Sequence, residues 1–523
     1  MSFTPRGRGV DRSFELVRMS LLQGDYLPFQ DALTVEQMRL AFEAEGVSFG
    51  EDAEPTNIRP TNIRPTNICP TNICPPDDEP APDAGSQGVF TMGMTLWAML
   101  SQALFTDVQR SCLAAVQRVA VCWAVLGREV SSTNTGAYCR ARAKVTEGVV
   151  RRLTEGVAER CDAAVPDDWK WHGFRTLLID GTTFSMPDTE ASQAEYPQPN
   201  SQAEGLGFPI LRAVALTSLA TGMAVALATG PYKGKETGET ALFRTLFEKL
   251  QRGDELTRGD LILADRFYGG WLMLALLRDR KVQFVTRLHQ HRTADFTRGK
   301  RLGQKDHVVR WSKPQKPNWL DQATYDRLPD QLEVREIEVR VDTPGFRTES
   351  LVIVTSLLDH HVSTRDDLAA LYRSRWNIEL ELREIKFTMS LGILRRKTPA
   401  AVRQELWTGL LAYNLVRQSL LQSAVASGRR PHQLSFASSL QMLANTWTLA
   451  TIPALGNFNT STVNTSTRER LVELRLRNGH SHRVANRPNR NEPRAVKRRP
   501  APLALLSEPR AVARKRLVTA PKT

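Results

Sequence analysis

Two apolar runs that each end in an aspartate constrain the fold of this chain more than any other feature. Residues 177–179 (Leu-Leu-Ile) directly precede Asp180, and residues 261–264 (Leu-Ile-Leu-Ala) directly precede Asp265. Short and wholly apolar runs of this kind predict strands that are buried on both faces. Such strands need helices packed over the sheet, so we expect a mixed α/β fold. An aspartate at the end of a rigid, buried strand is well placed to hold a cation, although it can also cap a turn.

The pattern around these two runs extends the α/β prediction. Apolar segments at 211–219 and 223–228 flank Ala220-Thr221-Gly222 and predict a hairpin, and helices are expected over 240–250 and 271–278. We therefore assign residues 169–288 to the first part of an α/β core. Residues 289–366 are rich in strand patterns and are interpreted as a β-rich insertion. Helical periodicity returns over 367–425, which we assign to the second part of the core.

The N-terminal region is predicted to be helical on both sides of a linker. We expect a helical segment at 1–54 and a helical domain at 91–168. Between them, four pentapeptides begin at Pro55, Pro60, Pro65 and Pro70. A proline at every fifth residue excludes a helix and a central strand, so residues 55–90 are predicted to form an extended linker. We assign no function to the repeat.

The net charge of +14 is concentrated at the C-terminus. Residues 468–523 contain 16 Lys or Arg and 4 Asp or Glu, within a predicted helical segment and basic tail at 426–523. A basic tail of this kind favours a polyanionic partner such as nucleic acid, because each neutralised phosphate releases counterions. The alternative is a solvated tail that keeps the protein soluble.

Several classes of protein and site are not supported by the sequence. No apolar run reaches about 18 residues and no signal peptide is recognisable, so we expect a cytoplasmic protein without a membrane span. The six cysteines have no zinc-site spacing and are interpreted as reduced thiols. The close pairs His289/His291 and His360/His361 lack a third metal ligand. No glycine-rich phosphate loop is present, so ATP is not expected.

A third acidic residue is selected by helical geometry. On a helix, at about 100° per residue, Tyr372, Arg375, Glu379 and Lys386 fall on one narrow stripe beside an apolar core face. A carboxylate flanked by cations suits a phosphodiester, because the acid can complete a metal site while the cations hold phosphates. The alternative is a solvated helix face with internal ion pairs.

Two further acids on the same helix are excluded from the stripe by their angles. Glu381 points about 180° away from Tyr372, and Glu384 points about 120° away. Neither can join the stripe, so Glu379 is the acid that the geometry selects.

The same residues resemble a known family. Tyr372, Arg375, Glu379 and Lys386 have the spacing of the Y-R-E-K signature of transposases from insertion sequence family four. Residues 179–188 (IDGTTFSMPD) resemble the first-aspartate region of that family, and residues 264–268 (ADRFY) resemble the second. The likeness covers roughly residues 90–510.

This resemblance implies an RNase H-like catalytic core interrupted by a β-rich insertion. It implies that Asp180, Asp265 and Glu379 are the catalytic acids and bind two Mg²⁺ ions, with Mn²⁺ as a substitute. Tyr372, Arg375 and Lys386 would contact DNA phosphates. In some relatives a tryptophan of the insertion stacks on a flipped base. Trp311 and Trp319 are the candidates here.

The expected function is DNA transposition: cleavage and strand transfer at the inverted terminal repeats of the protein's own insertion sequence. Its expected partners are double-stranded DNA, as terminal repeats and as target, and a second copy of the chain in a synaptic homodimer at the nucleoid. The helical domain at 91–168 is a candidate for binding the element's ends. Two alternatives remain open: an RNase H-like nuclease without strand transfer, and an inactive DNA-binding relative.

Overall fold

A computed structural model of the chain describes residues 8–23, 27–47, 89–125, 133–201, 203, 205–252, 259–340, 350–455, 461–484 and 508–519. The pentapeptide repeat, with Cys69 and Cys74, lies outside these ranges. The four described cysteines form no disulfide bond. No helix in the described ranges is long and apolar enough to span a membrane.

The helices lie mainly at the two ends of the chain, and the strands lie in its middle. The helices are α1 (Arg8–Ser20), α2 (Val35–Ala44), α3 (Met92–Leu104), α4 (Cys112–Val125), α5 (Gly136–Lys144), α6 (Glu147–Ala163), α7 (Glu190–Glu195), α8 (Glu239–Arg252), α9 (Trp271–Asp279), α10 (Gln322–Arg327), α11 (Arg365–Ser374), α12 (Trp376–Arg383), α13 (Pro399–Ala426), α14 (Phe436–Leu455), α15 (Ser461–Ser481) and α16 (Arg510–Thr519). The strands are β1 (Arg175–Ser185), β2 (Ile210–Ser218), β3 (Ala224–Pro231), β4 (Asp260–Ala264), β5 (Gln283–Arg287), β6 (Lys300–Gly303), β7 (Asp306–Ser312), β8 (Gln331–Arg340) and β9 (Ser350–Thr355).

Five strands form the predicted core sheet in the order β3-β2-β1-β4-β5. β1 pairs antiparallel with β2 and parallel with β4, and β4 pairs parallel with β5. The predicted hairpin is the β2–β3 pair, whose turn contains Gly222 at a φ of 68°. A residue with a side chain is strained at that φ, so glycine suits this turn. The mixed α/β sheet expected from the sequence is confirmed.

The strand-rich region after β5 extends the core sheet. β9 pairs antiparallel with β5, with Val285 opposite Thr355, and the full order ends β5-β9-β8-β7-β6. The strand patterns around 307–311, 332–341 and 351–355 correspond to β7, β8 and β9. The short strand β6 and the helix α10 were not predicted. The strands β6 to β9 therefore continue the core sheet through the backbone hydrogen bonds between β5 and β9.

The N-terminal helices pack directly on the helices that follow the core. The ring of Trp97 on α3 stacks on Trp447 of α14, and its Nε1 donates to Oγ of Ser20 on α1 at 2.7 Å. Asn414 of α13 donates to the carbonyls of Thr154 on α6 and Ala224 on β3. The buried amide of Asn414 thus joins two helices to the edge of the sheet.

Part of the basic C-terminal segment is folded against the rest of the protein. Arg475 on α15 is buried and donates to Oγ of Ser419 at 2.6 Å and to Oε1 of Gln422 at 2.7 Å. Arg510 at the start of α16 stacks on the ring of Phe208 and lies 3.5 Å from Asp188. Charge counting alone did not predict these contacts, because it does not distinguish a solvated arginine from a buried one.

Candidate active site

Asp180 and Asp265 lie side by side, but only Asp265 follows the end of a strand, because β1 continues beyond Asp180 to Ser185. In the parallel β1–β4 pair, Ile179 is opposite Ala264, and Asp180 and Asp265 are the next residues on each side. Asp180 accepts a hydrogen bond from the backbone N–H of Gly181 at 2.8 Å, and Asp265 accepts one from Arg266 at 2.7 Å. Both are half-buried. Because β1 and β4 are adjacent and parallel, the two carboxylates lie close together at the carboxyl end of β4.

Glu379 lies near Asp180, on a helix that is interrupted close to it. The sequence predicted one continuous helix through this region, but α11 ends at Ser374 and α12 begins at Trp376, with Arg375 as the junction. Nη2 of Arg375 lies 3.0 Å from Oε1 of Glu379. Both side chains interact electrostatically with the carboxyl of Asp180. Asp180 and Glu379, 199 positions apart in sequence, therefore meet at one place.

The two acids that helical geometry excluded face a different part of the protein. Oε2 of Glu384 accepts a hydrogen bond from Nη2 of Arg417 at 2.5 Å, and Glu381 is buried beside the same arginine. Nε of Arg417 donates to the hydroxyl of Tyr413, which donates to the carbonyl of Gly222. This buried network attaches the Glu379 helix to α13 and to the β2–β3 turn.

Tyr372 lies on the side of Asp265. Its hydroxyl forms a hydrogen bond with Arg375, and it interacts electrostatically with Asp265 and Arg287. Burial raises the pKa of Tyr372 to about 12, so the phenol keeps its proton at neutral pH. The phenol is thus a hydrogen-bond donor beside the aspartates.

Lys386 lies beside β1, next to a residue that comes later in that strand than Asp180. It falls within a π-helical turn, Glu384–Thr388, which the sequence did not predict. Its Nζ lies 5.9 Å from the ring centre of Phe184, four residues after Asp180 on β1. The N–H of Leu394 donates to the carbonyl of Ser185 and holds the following loop on the strand. Lys386 is therefore a cation next to the acidic cluster rather than within it.

Asp180 lies close enough to other acids for its pKa to be raised by them. The pKa of Asp180 is raised to about 6, mainly by burial and in part by the carboxylates of Glu379 and Glu239, against the opposing effect of the Gly181 N–H and Arg375. A divalent cation would relieve this repulsion, and carboxylate oxygens are the ligands that Mg²⁺ prefers. In the described part of the chain no three acidic, His or Cys residues are already clustered as a metal site. The residue types fit a hard cation, and Glu379 would have to leave Arg375 to join the ligands.

Three residues of this region were not found from the sequence. Glu239 interacts with Asp180, Tyr268 interacts with Asp180 and Asp265, and Arg287 interacts with Tyr372. Tyr268 ends the ADRFY stretch around Asp265 but was given no role, and Glu239 and Arg287 belong to no spacing pattern with the acids. The sequence shows only that Glu239 is an acid directly before a predicted helix and that Tyr268 is a tyrosine three positions after Asp265.

The two tryptophans proposed for base stacking are both packed. Trp311 is 6% exposed, donates from Nε1 to Glu336 at 2.9 Å and lies under the guanidinium of Arg292. Trp319 is half-buried under the guanidinium of Arg244. Trp376, adjacent to Arg375, is 37% exposed. Of these three rings, Trp376 is therefore the most accessible near the acids.

Comparisons with known proteins identify the same region. Residues 171–415 match the family model described as a transposase DDE domain, a range that includes Asp180, Asp265 and Glu379. The chain is 30% identical over 318 residues to transposase InsG for insertion sequence element IS4 of Escherichia coli, covering 59% of this chain and 66% of that protein, slightly less than two thirds. It is 27% identical over 147 residues to the putative transposase InsZ of the same organism, covering 28% of this chain and 46% of that protein.

A likeness to one solved structure was also found. The cryo-EM structure of a piggyBac transposase synaptic complex with hairpin DNA shares 10% identity with this chain, covers 89% of it and 86% of that chain, and has a TM-score of 0.39.

Proposed function

We propose that the chain is a DDE transposase of insertion sequence family four and that it cleaves and joins DNA at the inverted terminal repeats of its own insertion sequence. We propose Asp180, Asp265 and Glu379 as its catalytic acids. The observation that best supports this assignment is the placement of Asp180 and Asp265 on adjacent parallel strands, with Glu379 in electrostatic reach of Asp180.

The proposed acids would hold divalent cations, which DDE transposases use, and we propose Mg²⁺. When bound, such cations lower the pKa of water and stabilise a departing oxygen. Asp180 and Asp265 stand on hydrogen-bonded strands, so their relative position is rigid. Glu379 is 41% exposed and paired to Arg375, so it is the acid that can adjust.

The basic and phenolic residues around the acids are proposed to hold the DNA backbone. Arg375 has further N–H donors beyond its bond to Glu379, and Tyr372 keeps its proton as a donor. Lys386 lies next to the acidic cluster and would contact a phosphate further along the same DNA strand. Each is a suitable donor to phosphate oxygens.

Partners beyond the active site are also proposals. Double-stranded DNA is the proposed substrate, as terminal repeat and as target. The basic C-terminal segment and the helices within 91–168 would bind the element's ends. We propose that two copies act together on paired ends, at the nucleoid.

An assay on defined DNA tests the proposal. The protein is incubated with Mg²⁺ and a donor flanked by the inverted repeats of its own element, together with a target plasmid. We expect cleavage at the repeat ends, followed by joined products. Nicked but never joined DNA would instead indicate a nuclease, and binding without cleavage an inactive relative.

A further inference from the structure

Glu239 is packed against the backbone beside Asp180. It is the first residue of α8, and its carboxylate lies where a side chain on residue 181 would otherwise be. A Cβ added to Gly181 would lie 2.5 Å from Oε1 and 2.7 Å from Cγ of Glu239. Real Cβ atoms are not found at such distances. Gly181 is therefore the residue that lets an acid approach the first aspartate.

The same carboxylate contacts the segment that follows the second aspartate. Oε2 of Glu239 accepts a hydrogen bond from the hydroxyl of Tyr268 at 3.4 Å. One turn further along α8, the ring of Phe243 packs edge-on against the ring of Tyr268 at 5.4 Å. Tyr268 is buried, three residues after Asp265. Glu239 thus touches both aspartate-bearing segments at once.

The loop before Glu239 is attached to the core sheet. Nη1 of Arg212, on β2, donates to the carbonyl of Thr237 at 2.9 Å, and its guanidinium stacks on the ring of Tyr232. Arg212 is opposite Thr183 in the β1–β2 pair. The sheet that carries Asp180 therefore also determines where Glu239 lies.

Glu239 adds a second neighbouring carboxylate to Asp180, beside Glu379, while Arg375 is the neighbouring cation. None of the ion pairs formed within the described ranges includes Glu239, Asp180 or Asp265. As an acid in the first turn of α8, Glu239 is also stabilised by the N-terminus of its own helix. Its carboxylate therefore acts on Asp180 without being neutralised by an ion pair of its own within the described ranges.

We propose that Glu239 is a positioning residue of the catalytic centre, which fixes Asp180 relative to Asp265 through Gly181 and Tyr268 and favours the binding of divalent cations between them. This inference rests on the proposed function. It assigns a role to an acid that lies outside the Asp180, Asp265 and Glu379 set.

The first test compares Glu239 with a glutamate of the loop that precedes α8. Glu239→Gln keeps the shape of the side chain and removes its charge, while Glu236→Gln removes an exposed acid paired with Arg244. Cleavage of the donor is measured against Mn²⁺ concentration. We expect Glu239→Gln to raise the half-maximal Mn²⁺ concentration about tenfold with DNA binding unchanged, and Glu236→Gln to behave as wild type. Equal metal dependence of the two variants would overturn the proposal.

The second test uses the glycine and the tyrosine. Gly181→Ala should displace the carboxylate of Glu239 and raise the metal requirement, whereas Gly303→Ala, in β6, meets only an ordinary contact at 3.7 Å and should not. Tyr268→Phe keeps the ring on Phe243 and removes the hydrogen bond, so a smaller shift of the same sign is expected. If Glu239→Gln fails to fold, the Gly181→Ala and Tyr268→Phe results decide. Wild-type metal dependence in both would overturn the proposal.

A binding measurement separates this inference from the proposed function. The increase in Tm on adding Mn²⁺ is recorded for wild type, Glu239→Gln and Glu236→Gln without DNA. A Tm increase that is lost only in Glu239→Gln supports the positioning role even if no DNA is cleaved, in which case the transposase proposal fails alone. An equal increase in all three proteins overturns the role of Glu239 whatever the cleavage assay shows.

Discussion

Nη2 of Arg375 lies 3.0 Å from Oε1 of Glu379, and this ion pair occupies an oxygen of the proposed third catalytic acid beside Asp180. The arginine side chain is 13% exposed and that of the glutamate is 41% exposed, so the glutamate is the partner with room to move. Any cation that recruits Glu379 must compete with Arg375.

Replacing Arg375 should therefore separate metal binding from DNA cleavage. In Arg375→Ala, Glu379 has no competing partner, so the Mn²⁺-induced increase in Tm should occur at a severalfold lower metal concentration. Cleavage should fall because residue 375 can no longer hold a phosphate. Unchanged metal affinity would show that the ion pair does not restrain Glu379.

Removing either aspartate should abolish chemistry and spare binding. Asp180→Asn and Asp265→Asn keep the side-chain shape and remove the charge that a cation needs, so cleavage should drop about 10³-fold or more. A gel-shift assay should give a DNA affinity within about twofold of wild type. Asp326→Asn, on the exposed helix α10, is the control. Retained cleavage in Asp180→Asn would remove that residue from the site.

Glu379 and Glu384 should respond oppositely to the same substitution. Glu379→Gln should abolish cleavage with little change in the free energy of unfolding, because the side chain is exposed. Glu384→Gln breaks the pair with the buried Arg417 and should lower that free energy by about 3 kcal/mol. Denaturant unfolding and donor cleavage measure the two effects. A destabilised Glu379→Gln protein would indicate a structural rather than a catalytic acid.

Glu381 should make stability depend on pH. Burial raises its pKa to about 7 from 4.5, and its Oε2 is buried without a hydrogen bond. The folded protein holds this proton more tightly than the unfolded chain does. The contribution of the proton to the free energy of unfolding is therefore complete below pH 4.5, and on the order of 3 kcal/mol is lost as the pH rises through 7. Glu381→Gln should remove this loss. Parallel stability–pH curves for both proteins between pH 4.5 and 8 would contradict the assignment.

The C-terminal tail should contribute to DNA affinity through its charge. A truncation after residue 467 would remove the buried Arg475, so the informative truncation follows residue 484, after α15. We expect weaker binding and a flatter dependence of log Kd on log salt, by about 0.9 for each phosphate that the tail no longer neutralises. An unchanged salt slope would show that residues 485–523 do not touch DNA.

Much of the core was predictable because its signals are local. The apolar runs before Asp180 and Asp265 determine where β1 and β4 lie, and helical spacing separates Glu379 from Glu381 and Glu384. In the structure Glu381 and Glu384 lie beside Arg417, away from Glu379, as their angles around the helix predicted. Periodicity of this kind depends only on residues within a few turns of one another.

The sequence by itself determined the core strands, most of the helices and the order of the acidic residues, since these depend on neighbouring residue types. Only the tertiary structure decided that β9 pairs with β5, that Arg475 is buried, and that Glu239 lies against Gly181. The last of these contacts joins residues 58 positions apart, and no short-range pattern encodes it. It forms because folding brings the start of α8 against β1, and because Gly181, which has no side chain, leaves space for the carboxylate of Glu239.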